Sequence, residues 1–184
     1  MAALLTMCDE PVTVYGHSSG AALALRAAAA GLPFARLVLG DPPYSPHTPE
    51  AETLRAEHAH QADTLRALLA DDDRAGAVRF FLSGFGLSSE ELDGLMASPA
   101  GEGMSALATT LPHDYALLGD GLVPLGMAEL VQVPTLVLAA EGDDLAARQI
   151  CAALPDARLT GMVAPLHALA VEDYAPEILQ FVRA

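Results

Sequence analysis

The pattern of apolar and polar residues predicts strands alternating with helices at both ends of the chain. Short apolar runs bounded by Gly, Pro or Asp indicate strands at 11–15, 34–39, 133–140 and 157–163. Helical patterns lie between and after these runs, at 18–30, 145–154 and 172–182. A strand–helix–strand series with this spacing predicts right-handed crossovers, and therefore an α/β fold with a parallel sheet of about four strands.

The middle of the chain has a different pattern. Between 45 and 127 the apolar residues recur at helical spacing, with no convincing strand. Thr48 and Pro49 are typical of a helix start, and Ser88 with Glu91 matches a capping box. The acidic run 71–73 is expected to be solvated and to cap a helix. We therefore expect a helical insertion at 45–127 in a core formed by 1–44 and 128–184.

The first predicted strand runs directly into Gly-x-Ser-x-Gly, residues 16–20, with Ser18 at its centre. A strand, a sharp turn and a helix form the context in which this motif presents a nucleophilic serine. The turn should strain the backbone of Ser18, and side chains at Gly16 and Gly20 should clash with the neighbouring chain. The N–H of Ser19 is then placed to stabilise an oxyanion. The competing interpretation is an ordinary strand-to-helix turn.

Ser18, Asp143 and His167 each follow a predicted strand, in the order Ser, Asp, His. Because parallel strands end at one edge of a sheet, loops distant in sequence meet there. A serine needs an imidazole to take its proton, and the imidazole needs a carboxylate to fix its tautomer. Asp41 also follows a strand and is the alternative acid, but the surrounding motif favours Asp143.

These ordered motifs make the chain resemble the α/β-hydrolase fold family over nearly its whole length. Residues 14–20 resemble the family's elbow, 134–143 its acid loop, and 154–159 with His167 its last strand and histidine loop. The resemblance implies hydrolysis of an ester, thioester or lactone through an acyl-enzyme, with a helical cap at 45–127 and no cofactor or metal. His167 departs from the family pattern, because Pro165 and Leu166 precede it instead of Gly and a small residue.

The family's sheet has further strands before the elbow, and they supply a second oxyanion donor. We therefore expect the chain alone to show weak or no turnover unless a partner supplies the missing part. We also expect strand 12–15 to form an exposed apolar edge that promotes self-association. The rival function is a catalytically impaired or non-catalytic binding protein that keeps the elbow.

The remaining histidines are weaker candidates. His17 is expected to pack in the core or line a pocket, because it lies on the wrong side of the serine to act as its base. His58 and His60 are two residues apart and do not share a helix face, which argues against a metal pair. His113 is expected at the surface, or alternatively in a cap pocket.

Composition narrows the class of partner. The chain has 184 residues with 9 basic and 24 acidic side chains, a net charge of −15. Such a surface repels nucleic-acid phosphates and anionic lipid, so the expected partner is a small ester-like substrate. Cys8 and Cys151 form no disulfide framework, and the sequence contains no signal peptide or membrane span, so we expect a cytoplasmic protein.

Overall fold

The computed structural model describes residues 1–142 and 144–184. Its centre is a sheet of four parallel strands in the spatial order β1-β2-β3-β4. These strands are β1 (Val12–His17), β2 (Phe34–Gly40), β3 (Thr135–Ala140) and β4 (Ala157–Met162). The predicted α/β class with a parallel sheet is therefore confirmed. β1 extends two residues beyond the predicted strand, because Gly16 and His17 pair with Leu39 and Gly40.

Helices flank the sheet and fill the middle of the chain. In chain order they are α1 (Ala2–Leu5), α2 (Ser19–Ala29), α3 (Ala51–Ala70), α4 (Arg74–Ser83), α5 (Ser89–Met96), α6 (Pro99–Leu107), α7 (Leu111–Leu118), α8 (Leu125–Ala128), α9 (Leu145–Ala153) and α10 (Val171–Arg183). Short 3₁₀ turns lie at Ala108–Thr110 and Leu166–Ala168. No helix within the described ranges is long and apolar enough to cross a membrane.

The chain forms two compact units, residues 1–51 with 121–184, and residues 52–120. The helical unit is shorter than the predicted 45–127 insertion because both connecting segments belong to the sheet-containing unit. Ser45 forms an isolated parallel bridge with Leu122, through Ser45 N–H to Gly121 O at 2.8 Å and Val123 N–H to Ser45 O at 3.0 Å. The role of the helical unit as a cap stays a prediction.

The connecting segment is also fixed to α9. Gln149 accepts a hydrogen bond from the His47 backbone N–H at 2.8 Å and donates one to the His47 carbonyl at 2.9 Å. The His47 ring contacts Val123 O at 2.8 Å. These bonds hold the chain next to the sheet as it leaves β2, since each satisfies a backbone group that a loop would otherwise leave to solvent.

The two central strands, β2 and β3, are buried on both faces, as their near-continuous apolar sequences require, whereas the edge strands β1 and β4 are partly exposed. Val38, Leu136 and Leu138 form one cluster with Leu166 and with Tyr174 of α10. Side chains alternate along a strand, so neighbouring fully buried residues face the opposite side: Leu37, Leu39 and Val137. Helix α2 contacts β1 and β2, and α9 contacts β3 and β4.

The helical unit has a core of its own around Leu65, Ala77, Val78 and Ala108. The predicted capping box is confirmed, with Ser88 and Glu91 bonding each other's backbone at the start of α5. The acidic run also caps a helix as expected, through Asp73 and the N–H of Gly76 at 2.8 Å. Helix α3 begins later than predicted, because 48–50 form a turn in which the Thr48 hydroxyl accepts the Glu50 N–H.

Tyr44, which follows β2, has a buried hydroxyl with no hydrogen-bond partner among the described residues. The residue is 7% exposed, and this burial raises the pKa of the Tyr44 hydroxyl to about 12. A buried polar group without a partner costs about 1 to 3 kcal/mol, so the hydroxyl destabilises the fold.

We predict that Tyr44→Phe leaves the free energy of unfolding unchanged or higher at pH 8 and makes it less sensitive to alkali. A raised folded-state pKa gives stability that is complete below pH ~10 and declines as pH rises towards 12. At pH 11 the wild type should therefore have lost about 1 kcal/mol more than the variant. Urea unfolding of both proteins at pH 8 and pH 11 measures the difference. An equal loss in the two proteins would contradict the burial of this hydroxyl.

Candidate active site

The candidate site lies at the carboxyl edge of the sheet, where the strands end and the loops begin. Ser18 directly follows β1 and Asp41 directly follows β2. The Ser18 N–H donates to Gly40 O at 2.9 Å, and the Asp41 N–H donates to Leu138 O at 2.9 Å. Sheet pairing thus continues one residue past the strands, which fixes the two backbones side by side.

Ser18 has a strained backbone, as predicted, with φ 55° and ψ −127°. Few non-glycine residues adopt positive φ, and those that do are held there by their surroundings. Gly16 makes this turn feasible, because a Cβ on it would lie 2.3 Å from the Gly20 carbonyl oxygen. The prediction of a clash at Gly20 is wrong, because a Cβ there would have no atom of the described residues within 4 Å. Gly20 contributes its carbonyl to the close approach, and its own Cα faces open space.

Helix α2 starts immediately after this serine. Its first closing bonds run from the Ala21 and Ala22 N–H groups back to the Ser18 carbonyl, at 2.8 and 3.4 Å. The first N–H groups of a helix, here those of Ser19 and Gly20, have no partner within the helix and carry its partial positive charge. An anion formed on the Ser18 side of the turn would meet that charge.

The structure places His167 against Asp41. His167 lies in the 3₁₀ turn after β4, and its Nδ1 is 3.1 Å from Asp41 Oδ2. The Asp41 side chain is 14% exposed, whereas that of His167 is 40% exposed. An Nδ1–H that donates to the carboxylate leaves Nε2 as the accepting nitrogen. Asp143, the acid favoured by the sequence, lies outside the described residues.

His17 belongs to the same cluster, which the sequence did not indicate. Its Nε2 lies 3.9 Å from Asp41 Oδ2, and its ring centroid is 4.2 Å from that of His167. The Nε2 atom is buried without a hydrogen-bond partner among the described residues. Burial, followed by the nearby His167, lowers the pKa of His17, and Asp41 opposes this shift. The strand register brings His17 into this cluster, because His17 pairs with Gly40, the residue before Asp41.

Gly40 allows the histidine turn to approach the sheet. A Cβ on Gly40 would lie 2.8 Å from Leu166 Cδ2 and 3.1 Å from the Tyr15 ring. Leu166 is 2% exposed and packs in the cluster that contains Tyr174. The residue before His167 is therefore anchored in the core, and this anchor sets where the imidazole lies.

We predict that Gly16→Ala prevents folding or lowers the free energy of unfolding by several kcal/mol, since backbone atoms cannot move aside as a flexible side chain can. Gly20→Ala is the matched control and should be tolerated, because open space surrounds its Cα. Thermal unfolding of both variants checks this pair. Equal stability of the two would contradict the close approach between Gly16 and Gly20.

A family model and solved structures relate the chain to known proteins. The model of the Alpha/beta hydrolase family matches residues 1–176. An alpha/beta hydrolase of known structure from Sphaerobacter thermophilus DSM 20745 is 32% identical, with a TM-score of 0.77, over 98% of this chain and 71% of that one. Among the curated proteins, none matches significantly.

Two further solved structures share the fold at lower identity. A hydrolase from Pseudomonas aeruginosa PA01 is 20% identical with a TM-score of 0.62, over 99% of this chain and 70% of that one. MenH from S. aureus is 20% identical with a TM-score of 0.58, over 99% of this chain and 73% of that one. These likenesses concern the fold alone.

Proposed function

The chain belongs to the alpha/beta hydrolase family, and on that premise we propose that it hydrolyses an ester, thioester or lactone through an acyl-enzyme on Ser18. The observation that carries this proposal is the 3.1 Å contact between His167 Nδ1 and Asp41 Oδ2 beside a serine with φ 55°. Strained serines at a strand-to-helix turn and oriented imidazoles are the two components that nucleophilic catalysis requires.

In this mechanism Ser18 Oγ attacks the substrate carbonyl carbon while His167 Nε2 takes the hydroxyl proton. The carbonyl oxygen becomes an oxyanion, which the Ser19 N–H and the start of α2 stabilise. As the intermediate collapses, the imidazolium gives its proton to the leaving alkoxide or thiolate, which becomes an alcohol or thiol, and the acyl-enzyme remains. In a lactone the new hydroxyl stays attached to the acyl chain. Water then attacks the acyl carbon by the same proton path, releases the acid and restores Ser18.

Asp41 is the acid that the described geometry supports. Its carboxylate holds His167 with the proton on Nδ1 and stabilises the imidazolium that forms during each transfer. The sequence favours Asp143 for this role, from its motif after β3. The two assignments predict different mutant effects. Only the carboxylate that contacts His167 Nδ1 can orient the ring, so replacing that one should lower the rate more than replacing the other.

We predict that a fluorophosphonate probe labels Ser18 and that Ser18→Ala abolishes both labelling and ester hydrolysis. Loss of the nucleophile in a triad lowers kcat by about six orders of magnitude, so the residual rate should be near background. Ser83→Ala, in the helical unit, is the control, since the Ser83 hydroxyl donates to the Phe80 carbonyl of its own helix. Mass spectrometry of the labelled peptide locates the adduct. Absence of labelling in a folded protein would favour the non-catalytic binding protein.

We predict that Asp41→Asn lowers kcat by about four orders of magnitude, because an amide stabilises the wrong histidine tautomer. Asp143→Asn is the matched comparison and should have a much smaller effect. Steady-state ester hydrolysis by both variants, with circular dichroism as a folding control, decides between them. The reverse ranking would assign the orienting role to Asp143.

A further inference from the structure

We propose that His17, Asp41 and His167 form a site for a divalent transition metal such as Zn²⁺, and that an ion bound there blocks the hydrolase. The proposal rests on the proposed function for its inhibitory part, whereas the binding part stands on geometry alone. One ligand atom from each of the three residues lies within 4.8 Å of the other two. Two imidazoles and a carboxylate are ligands that Zn²⁺ prefers.

One of the three ligand pairs already has the spacing that a metal requires, and the other two require a movement of His17. Ligands at about 2.0 to 2.1 Å from a tetrahedral ion lie about 3.3 to 3.4 Å from each other. His167 Nδ1 and Asp41 Oδ2 are 3.1 Å apart, which already fits. His17 Nε2 is 3.9 Å from the same oxygen and must approach by about 0.5 Å to reach that spacing. The ligand nitrogens of His17 and His167 lie within 4.8 Å of each other, so this pair must close by up to about 1.4 Å, which a rotation of the His17 side chain can supply.

His17 Nε2 is the atom that points to a ligand. It is buried, has no hydrogen-bond partner among the described residues, and faces the Asp41 carboxylate at an ion-pair distance. A buried nitrogen without a hydrogen-bond partner carries an uncompensated desolvation free energy, which coordination to a metal ion would offset. The net charge of −15 adds to this, because an acidic protein raises the local concentration of cations.

Metal binding and catalysis need opposite states of the same imidazole. In the proposed hydrolase, His167 Nδ1 carries the proton and Nε2 accepts the proton of Ser18. A metal on Nδ1 requires that nitrogen's lone pair, so the ring proton moves through solvent to Nε2, with no net gain or loss. Nε2–H is a donor and cannot act as the base, and Asp41 is occupied by the ion. The bound state is therefore inactive.

Titration with Co²⁺, whose visible absorption reports the ligands, tests binding without reference to activity. The experiment uses the full chain carrying Cys8→Ser, which removes an exposed thiol that would compete for the ion. We expect one saturable Co²⁺ site, free of thiolate charge-transfer absorption and displaced by Zn²⁺. His17→Gln and Asp41→Asn should each weaken it at least tenfold, since even outer-shell partners of a metal contribute about 10- to 100-fold.

His60→Gln is the control, because His60 is exposed in the helical unit and lies outside the cluster. No saturable binding, or equal binding by His17→Gln, Asp41→Asn and His60→Gln, would overturn the site. In ester hydrolysis, Zn²⁺ should inhibit over the same concentration range as it binds, and a chelator should restore the rate. Binding by a folded protein whose Ser18 is not labelled by a fluorophosphonate would refute the proposed function and leave the metal site intact, whereas hydrolysis or labelling insensitive to saturating Zn²⁺ would refute the inhibition.

Discussion

The site depends on two backbone hydrogen bonds that extend the sheet past its strands. Ser18 N–H to Gly40 O and Asp41 N–H to Leu138 O, both 2.9 Å, hold the residues after β1 and β2 in register. Each of the two residues adopts positive φ, 55° for Ser18 and 42° for Asp41. Backbone pairing therefore offsets local strain, and the chain turns away from the sheet only after the two side chains have been placed at its edge.

His167, the third residue of the site, reaches this edge from a more distant strand. His167 follows β4, which pairs with β3, whereas Asp41 follows β2. The 3₁₀ turn must therefore cross the end of β3 to bring its imidazole to Asp41. It does so because Leu166 lies over Gly40, where any larger residue would collide with it. The lack of a side chain at Gly40 in β2 thus sets the position of the His167 imidazole after β4.

The sequence predicted the parts of this arrangement that are local. Strand, turn and helix around Ser18 are encoded by adjacent residues, and the capping box at Ser88 is a four-residue pattern. It did not predict the His17–Asp41 approach, since this depends on the register that pairs His17 with Gly40. The same limit applies to Gly20, because the motif shows that small residues are present, whereas which Cα is crowded depends on how the turn folds.

In the two proposals Asp41 has competing roles, one as the partner of His167 and one as a metal ligand. Asp41 is mostly shielded from water, so it gains more from a cation or a donor than a surface carboxylate does. His167 Nδ1 supplies that donor at 3.1 Å, and His17 at 3.9 Å is close enough to compete but too far to hydrogen-bond. While His17 stays neutral, as its lowered pKa favours, the Asp41–His167 pair is undisturbed. The same neutral nitrogen has the lone pair that the proposed metal site requires, so a single protonation state of His17 serves both proposals.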